Sequence, residues 1–490
     1  MGHRTDAFWE RQKRTPLYDA LVAHQKSRPH SFHVPGHKFG ASFDEVGRHR
    51  FADLLALDVT EITGMDDLHQ PEGVIAEAQT LAAEAFGADE TRFLVGGSTA
   101  GNIALIMAVC KPGDKIVVQR NCHKSVYHGL MLARANPIFI VPAVDPDTGV
   151  AAGLRREDVE RALQAHPDAK AVFLTNPTYY GMGIDLVKMA ATVHRHDIPL
   201  LVDEAHGAHY GFHPALPPSA MQCGADAAVQ STHKMATSMT MSSMVHIKGT
   251  RINRQRLNRA LAMIQSSSPS YVLMASLDLA RRHTMLEMGK EIDRVLPRLT
   301  WLQERLQVVP WLFVPAMTDH YVYATRDPLK LLLSLRTSDL NGYQLQTQFE
   351  NRGVFPEFAQ LTHVLLAAST GTRDEDVEQV LKSVEAMSAR PLRVEHEWTR
   401  PGVLASSFLR EQVIAMHEAV DRPRELIALE DAQGHICAEM VIPYPPGIPL
   451  LVPGERIDEQ VLQLISKLRD GGARFHGVND PSLASIEIIA

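Results

Sequence analysis

Cysteine is scarce in this chain: four in 490 residues (Cys110, Cys122, Cys223 and Cys437), widely spaced and without a CxxC pair. That scarcity argues against a disulfide framework or a cysteine zinc site, and the thiols read as reduced, as in a cytoplasmic protein. Basic excess is missing too. The net charge is −8 and the pI near 6.3, so the basic face of a nucleic-acid-binding protein is not expected. No apolar run approaches the roughly 20 residues that a membrane-spanning helix needs. The opening "MGHRTDAFWERQKR" has no apolar segment of the kind a secretory signal requires. Asp6 stands where myristoylation would need Ser or Thr. What is present is ordinary for a soluble globular protein: 45% hydrophobic and 22% charged residues. The length exceeds one ordinary core, so two or three domains are expected.

Between about residues 75 and 250, short apolar runs alternate with helix-period stretches. "GVIAEAQTLAAEAFGA" has helical spacing and stops at Gly87; "RFLVGG", "STAGNIALIMAVC", the break at Pro112-Gly113 and "KIVVQ" follow. "AKAVFLTNPT", "IPLLVDEAHG" and "ADAAVQSTHK" are further apolar runs that end in polar residues. This alternation is the mark of crossover units around a mostly parallel sheet, whose strand ends are where such sheets hold ligands. From about 251 two long amphipathic helices are expected, "TRINRQRLNRALAMIQ" and "SYVLMASLDLARRHTMLEMGKEIDRVLPRLTWLQERL". Beyond about 310, "WLFVPA", "DHYVYAT" and "HVLLAAS" read as strands of a smaller α/β unit. The last region holds "VIPYPPGIPLLVPGE", whose prolines and glycines force an extended, turn-rich path. No internal repeat, coiled-coil heptad or low-complexity tract is evident.

One lysine stands out. Lys234, in "VQSTHKMATSMTMSSM", follows an apolar strand over Ala227–Gln230, where burying an amine is expensive. A lysine that loses its proton in such a place is a nucleophile of the kind Schiff-base chemistry uses. Asp203 ends the preceding strand, so neighbouring parallel strands bring both side chains to one sheet edge. A carboxylate there can keep the pyridine nitrogen of pyridoxal phosphate protonated, which makes the ring an electron sink. An ordinary salt bridge is the plainer alternative. "GGSTAGN" puts Ser98 and Thr99 at a helix start, as a phosphate cradle or as a plain N-cap. His123, after "KIVVQ", suits a ring-stacking imidazole or a satisfied core histidine. His206, His209 and His213 in "HGAHYGFH" lack a carboxylate or cysteine at helical ligand spacing, so no metal is expected.

Together the ordered blocks "FHVPGHKFG", "DVTEITGMDDLHQPEG", "GGSTAGN", "RNCHKS", "TNPTYYG", "VDEAHGAH", "QSTHK", "SSSPSYVLMASLD" and "PYPPGIPLLVPGE" resemble the bacterial Orn/Lys/Arg decarboxylases. The length resembles the short branch that lacks an N-terminal receiver-like wing. The resemblance implies an α/β fold: a pyridoxal-phosphate fold type I (aspartate aminotransferase-like) large domain, with a smaller α/β and a C-terminal α+β domain. It implies an N-terminal segment over 1–45 making dimer and active-site contacts. A cofactor-binding domain over 46–310, a small domain over 311–390 and a C-terminal domain over 391–490 would follow. Lys234 would form the Schiff base, with Asp203 on the pyridine nitrogen. Ser98, Thr99, Ser231 and His233 would hold the phosphate, and His123 would stack on one ring face. Ala205 and His206 would line the other. Ser267 in "SSSP" would reach a partner copy's phosphate, and Glu455 in "PGE" would be an acidic contact near the substrate entrance. His233 or a neighbour would return the proton at Cα. Where the family's lysine block continues with glutamine, this chain has Met241.

The implied reaction is decarboxylation of lysine, ornithine or arginine to the matching amine of polyamine metabolism. A homodimer or higher assembly is implied, in the cytoplasm, with no nucleic-acid or membrane partner. An aminotransferase or other lyase on the same fold, and an inactive relative acting by protein binding, are the rivals.

Overall fold

In the computed structural model, residues 5–315, 322–389, 392–394 and 409–490 are described. Seven strands form the central sheet: β1 (Glu90–Leu94), β2 (Lys115–Gln119), β3 (Asn136–Ile140), β4 (Val172–Thr175), β5 (Leu200–Asp203), β6 (Ala227–Gln230) and β7 (Ser243–Ile247). Their order is β1-β7-β6-β5-β4-β2-β3, and only β7 runs antiparallel to its neighbours. Every residue of β4 to β7 is buried. Burial on both faces is why these strands read as continuous apolar runs rather than alternating ones. Helices Gly97–Val109, Lys124–Ala133 and Arg254–Ile264 contribute to a core on one face; Arg156–Ala165 and Leu186–His194 contribute to another.

Local signals behave as their chemistry directs. Helix Val74–Phe86 ends at Gly87, which adopts a left-handed φ of 73° that a side chain would resist. The second long amphipathic stretch is two helices, Tyr271–Leu286 and Met288–Gln307, with the break at Glu287. The expected edge at 45/46 falls in the first turn of helix Glu45–Leu55, and that at 310/311 lies between helix Met288–Gln307 and the next strand. The edge at 390/391 lies outside the described residues.

The smaller sheet consists of β8 (Leu312–Phe313), β9 (Lys330–Leu335), β10 (Phe358–Gln360) and β11 (His363–Ala367), antiparallel in the order β10-β11-β9-β8. The expectation that "DHYVYAT" adds a strand to this sheet needs correction. Its first three residues lie outside the described set, and Thr325–Arg326 pairs instead with Met182–Gly183 of the large domain. Of the two inner strands of the small sheet, β9, "KLLLSL", is buried throughout.

The C-terminal region pairs Arg424–Ala428 with Ser485–Ile489 and packs helix Glu459–Asp470 in its own core. It docks on the large domain through Met416, Met440, Ile442 and Val452. At that junction Arg120, just after β2, is fully buried against Glu455. Nη2 of Arg120 donates to both carboxylate oxygens at 3.1 Å, and Nη1 donates to the Pro449 carbonyl at 3.1 Å. The second oxygen of Glu455 also accepts from the Val452 N–H at 3.0 Å.

Removing one partner of a buried ion pair strands the other's charge, so Arg120→Met is expected to lose about 3–5 kcal/mol of stability. The Arg120→Met/Glu455→Met double variant is expected to lose less, and urea denaturation compares them. Burial also pushes the pKa values of His246 and His363 down to about 3 and about 4. Both stay neutral when folded, while unfolded histidine protonates below about pH 6.5. Unfolding therefore takes up protons, and stability falls as pH drops through that window, by about 1.4 kcal/mol per unit for each ring. His246→Gln should flatten that slope by one proton in acid titrations of stability.

Candidate active site

The carboxyl ends of β5 and β6 build the site. Asp203 is the last residue of β5, opposite Val229 of β6; one residue beyond β6, Ser231 begins the turn that carries Lys234. The register thus brings Asp203 and Lys234 to one edge, as their strand ends suggested. Each acts on the other's ionisation, yet neither takes the other as its hydrogen-bond partner. Asp203 accepts from Asn102 Nδ2 at 2.8 Å and from the Ala205 N–H at 3.1 Å, both neutral donors. Burial pushes its pKa up, against the opposing pull of Lys234. Lys234 Nζ meets His206 Nε2 at 3.2 Å and lies 5.8 Å from the Tyr179 ring centre.

Lys234 is not sealed in the interior as its setting in the sequence implied. Its side chain is open to a cleft, although protein around it still pushes its pKa down. A deep cleft reconciles the two: solvent enters, but too little of it to restore full hydration of an ammonium.

Asn102 has no signal of its own in the sequence and belongs to the site. It sits in helix Gly97–Val109, one turn behind Ser98, and is buried. Its amide also donates to Ser125 Oγ at 3.0 Å, and Ser125 Oγ lies 2.8 Å from His123 Nδ1. With the serine hydroxyl donating on to Nδ1, an unbroken chain links Asp203 to His123. The same nitrogen accepts the Ser125 N–H at 3.2 Å, so His123 caps helix Lys124–Ala133. Both donations leave the imidazole proton on Nε2. Burial, then the charges of Lys234 and Lys124, lower its pKa to about 3, so the ring is neutral.

The expected phosphate residues separate into two groups. Ser98 Oγ lies 2.6 Å from Ser231 Oγ and 3.3 Å from Ser243 Oγ, so hydroxyls from three elements converge at the start of helix Gly97–Val109. The N-cap is Gly96, which answers the plainer reading of Ser98 as a cap. Gly97 follows with φ 71°, the left-handed turn from strand to helix that glycine permits. Thr99 is exposed on the same turn. His233 is half-buried, its Nδ1 3.0 Å from the Ser242 carbonyl oxygen. Met241 is 47% exposed with φ 81°.

The three histidines of "HGAHYGFH" diverge. His206 contacts Lys234 and Lys330, while His209 faces Asp327 at 3.0 Å and His213 faces Asp293 at 3.0 Å. Ala205 adjoins Asp203, and Ser267 is exposed in the turn after helix Arg254–Ile264. Glu455 requires a correction. It is 1% exposed with its carboxylate on Arg120 and Val452, so it serves the domain junction and not the substrate entrance. The C-terminal region reaches the site through another residue of the same block. The Gly447 carbonyl accepts from the Lys124 N–H at 3.1 Å, and a Cβ on Gly447 would stand 3.2 Å from the His123 ring.

A cavity of about 100 Å³ adjoins the cleft, shared by all three parts of the chain. Tyr179 and Thr175 come from the large domain, Tyr343 and His363 from the small one, and Pro446 and Ile448 from the C-terminal region.

Comparison with known proteins gives this arrangement a family. The model of the Orn/Lys/Arg decarboxylase major domain matches residues 15–319, and that of the Orn/Lys/Arg decarboxylase C-terminal domain matches residues 407–481. The uncharacterized protein YaaO of Bacillus subtilis (strain 168) is 42% identical over 461 residues, 93% of this chain and 94% of its own. An arginine decarboxylase of Halalkalibacterium halodurans is 36% identical over 490 residues, 98% of each chain. The crystal structure of the Francisella novicida lysine decarboxylase LdcF shares the fold, with a TM-score of 0.84 at 22% identity over 97% of this chain and 81% of that one. This chain belongs to the Orn/Lys/Arg decarboxylase family, pyridoxal-phosphate-dependent carboxy-lyases that act on amino acids.

Proposed function

We propose that this protein decarboxylates a basic amino acid, arginine, lysine or ornithine, to the amine used in polyamine metabolism. Arginine stands first because full-length relatives at 36–37% identity carry the name arginine decarboxylase. The observation that carries the reading is the unmatched pair at the sheet edge. An amine and a carboxylate face one cleft, and each is engaged by neutral groups. Such a pair suits a ligand that needs both. The donor set fits pyridoxal phosphate: Asp203 for its ring nitrogen, Lys234 for its aldehyde carbon, and the Ser98, Ser231 and Ser243 hydroxyls with the helix N-terminus for its phosphate. When bound, the cofactor supplies an electron-accepting ring that takes up the electron pair left as CO₂ departs.

The chain's own residues prepare that chemistry. Asn102 orients the Asp203 carboxylate, so a protonated ring nitrogen meets a fixed negative charge in a poorly hydrated site. Neutral His123 offers a flat face without bringing a positive charge toward the ring. Ala205 and His206 line the opposite side, and Thr99 and His233 flank the phosphate region. His233, held at Nδ1 by the Ser242 carbonyl, is our candidate to return a proton at the substrate's Cα. Glu357 is exposed at the mouth, and its charge acts on Lys234, Lys330 and His233. It is suited to receive the cationic end of a basic substrate. Ser267, on an exposed turn, would contribute to the site of a partner copy in a homodimer or larger assembly in the cytoplasm. Among the described residues no helix is long and apolar enough to cross a membrane.

A product assay on arginine, lysine and ornithine with saturating cofactor tests this reading. Amine and CO₂ in equal amounts from at least one of them are expected, and the absence of CO₂ from all three rejects it. Borohydride reduction of the loaded protein should place the cofactor on Lys234, and Lys234→Ala should abolish both attachment and turnover. Asn102→Leu removes the donor to buried Asp203. A buried acceptor left unsatisfied costs about 1–3 kcal/mol, so cofactor binding should weaken accordingly in a fluorescence titration.

A further inference from the structure

Two lysines address one imidazole. His206 is buried, with Lys234 Nζ 3.2 Å from Nε2 and Lys330 Nζ 3.4 Å from Nδ1. Lys330 opens strand β9 and is 2% exposed. Negative charge reaches it from Asp327, itself fully buried, and from Glu357. Asp327 accepts from the Leu329 N–H at 2.9 Å and faces His209 at 3.0 Å; its carboxyl is held below its ordinary pKa, so it stays ionised. Burial, together with the nearby lysines, holds His206 well below its ordinary value, and the ring is neutral.

A neutral imidazole has one N–H and one bare nitrogen, whereas an ammonium has three donors and no acceptor. Two ammonium groups therefore cannot both hydrogen-bond to the same neutral ring. One amine must be the free base, accepting the ring's proton. Lys330, with ionised Asp327 beside it, is the one placed to keep its charge. We propose that Lys330 is a positioning residue for Lys234: its ammonium donates to His206 Nδ1, leaves the ring's proton on Nε2, and so presents Lys234 with a donor that a free amine accepts. This rests on the reading of Lys234 as the cofactor-bearing lysine, and adds the device that keeps it nucleophilic. Around Lys234, Asp203 and Glu357 favour the charged form; Lys330 and the His206 N–H oppose it. His123 faces it as a neutral ring, and half-buried His233 adjoins it in sequence.

The test uses the full-length protein freed of cofactor, with pyridoxal phosphate as the probe. Its covalent attachment to Lys234 is followed by visible absorbance as a function of pH. Lys330→Met is expected to raise the midpoint of that profile by about one unit, a roughly tenfold slower attachment at neutral pH. Lys330→Arg, which keeps charge and donors, should restore it. In a His206→Phe background the Lys330→Met shift should shrink by more than half, since the ring transmits it. An unmoved midpoint in folded Lys330→Met protein overturns the proposal, as does a shift undiminished by His206→Phe. Should Lys330→Met not fold, ¹⁵N NMR of His206 in the unaltered protein decides: a proton on Nε2 supports the proposal, one on Nδ1 overturns it. Borohydride reduction that locates the cofactor elsewhere than Lys234 overturns the site assignment itself, which separates that failure from this one.

Discussion

The site depends on an amine and a carboxylate that are brought to one sheet edge and kept from pairing with each other. Asp203 and Lys234 follow adjacent parallel strands, and left alone they would form a salt bridge. Asn102 and the Ala205 N–H occupy the carboxylate, while His206 occupies the amine. Each replacement partner is neutral, so neither group is tied to an opposite charge within the protein. That leaves both groups for a cationic ring nitrogen and an electrophilic carbon to satisfy together.

The neighbouring residues extend this constraint outward. The Asn102–Ser125–His123 chain joins the carboxylate to the imidazole on one side of the cleft. His206 joins the two lysines on the other. Both imidazoles are kept neutral chiefly by burial, so neither adds charge that would compete with the pair. The C-terminal region takes part through backbone: Gly447 packs against His123, and the Arg120–Glu455 pair ties that packing to the strand end from which His123 follows. Three units of the chain thus bear on a site whose reactive groups come from the large domain.

Much of this was legible in residue order. Continuous apolar runs ending in polar residues located the strands of the parallel sheet, because strands buried on both faces leave that trace. Lys234 and Asp203 were visible as charged residues at the ends of such runs. Lys330 carries the same trace, a lysine opening "KLLLSL", and the signal applied to Lys234 would have found it. Asn102 leaves none, since an amide inside an apolar helix is unremarkable until its partners are known. Glu455 misled because its role was carried over from the resemblance alone, and its burial depends on Arg120, distant in sequence. "DHYVYAT" reads as a strand, but an apolar run does not name the strand it pairs with, and Thr325–Arg326 pairs with Met182–Gly183.

The sequence by itself determined the secondary elements, the sheet edge at which the chemistry sits, and the family to which its ordered blocks belong. Those properties arise from local periodicity and from side chains near each other along the chain. Tertiary structure alone decided which neutral groups hold the carboxylate and the amine, which histidine nitrogen faces which lysine, and where Glu455 points. Protonation and hydrogen bonding depend on distance and hydration, and both are set only when residues far apart in the chain are packed against one another.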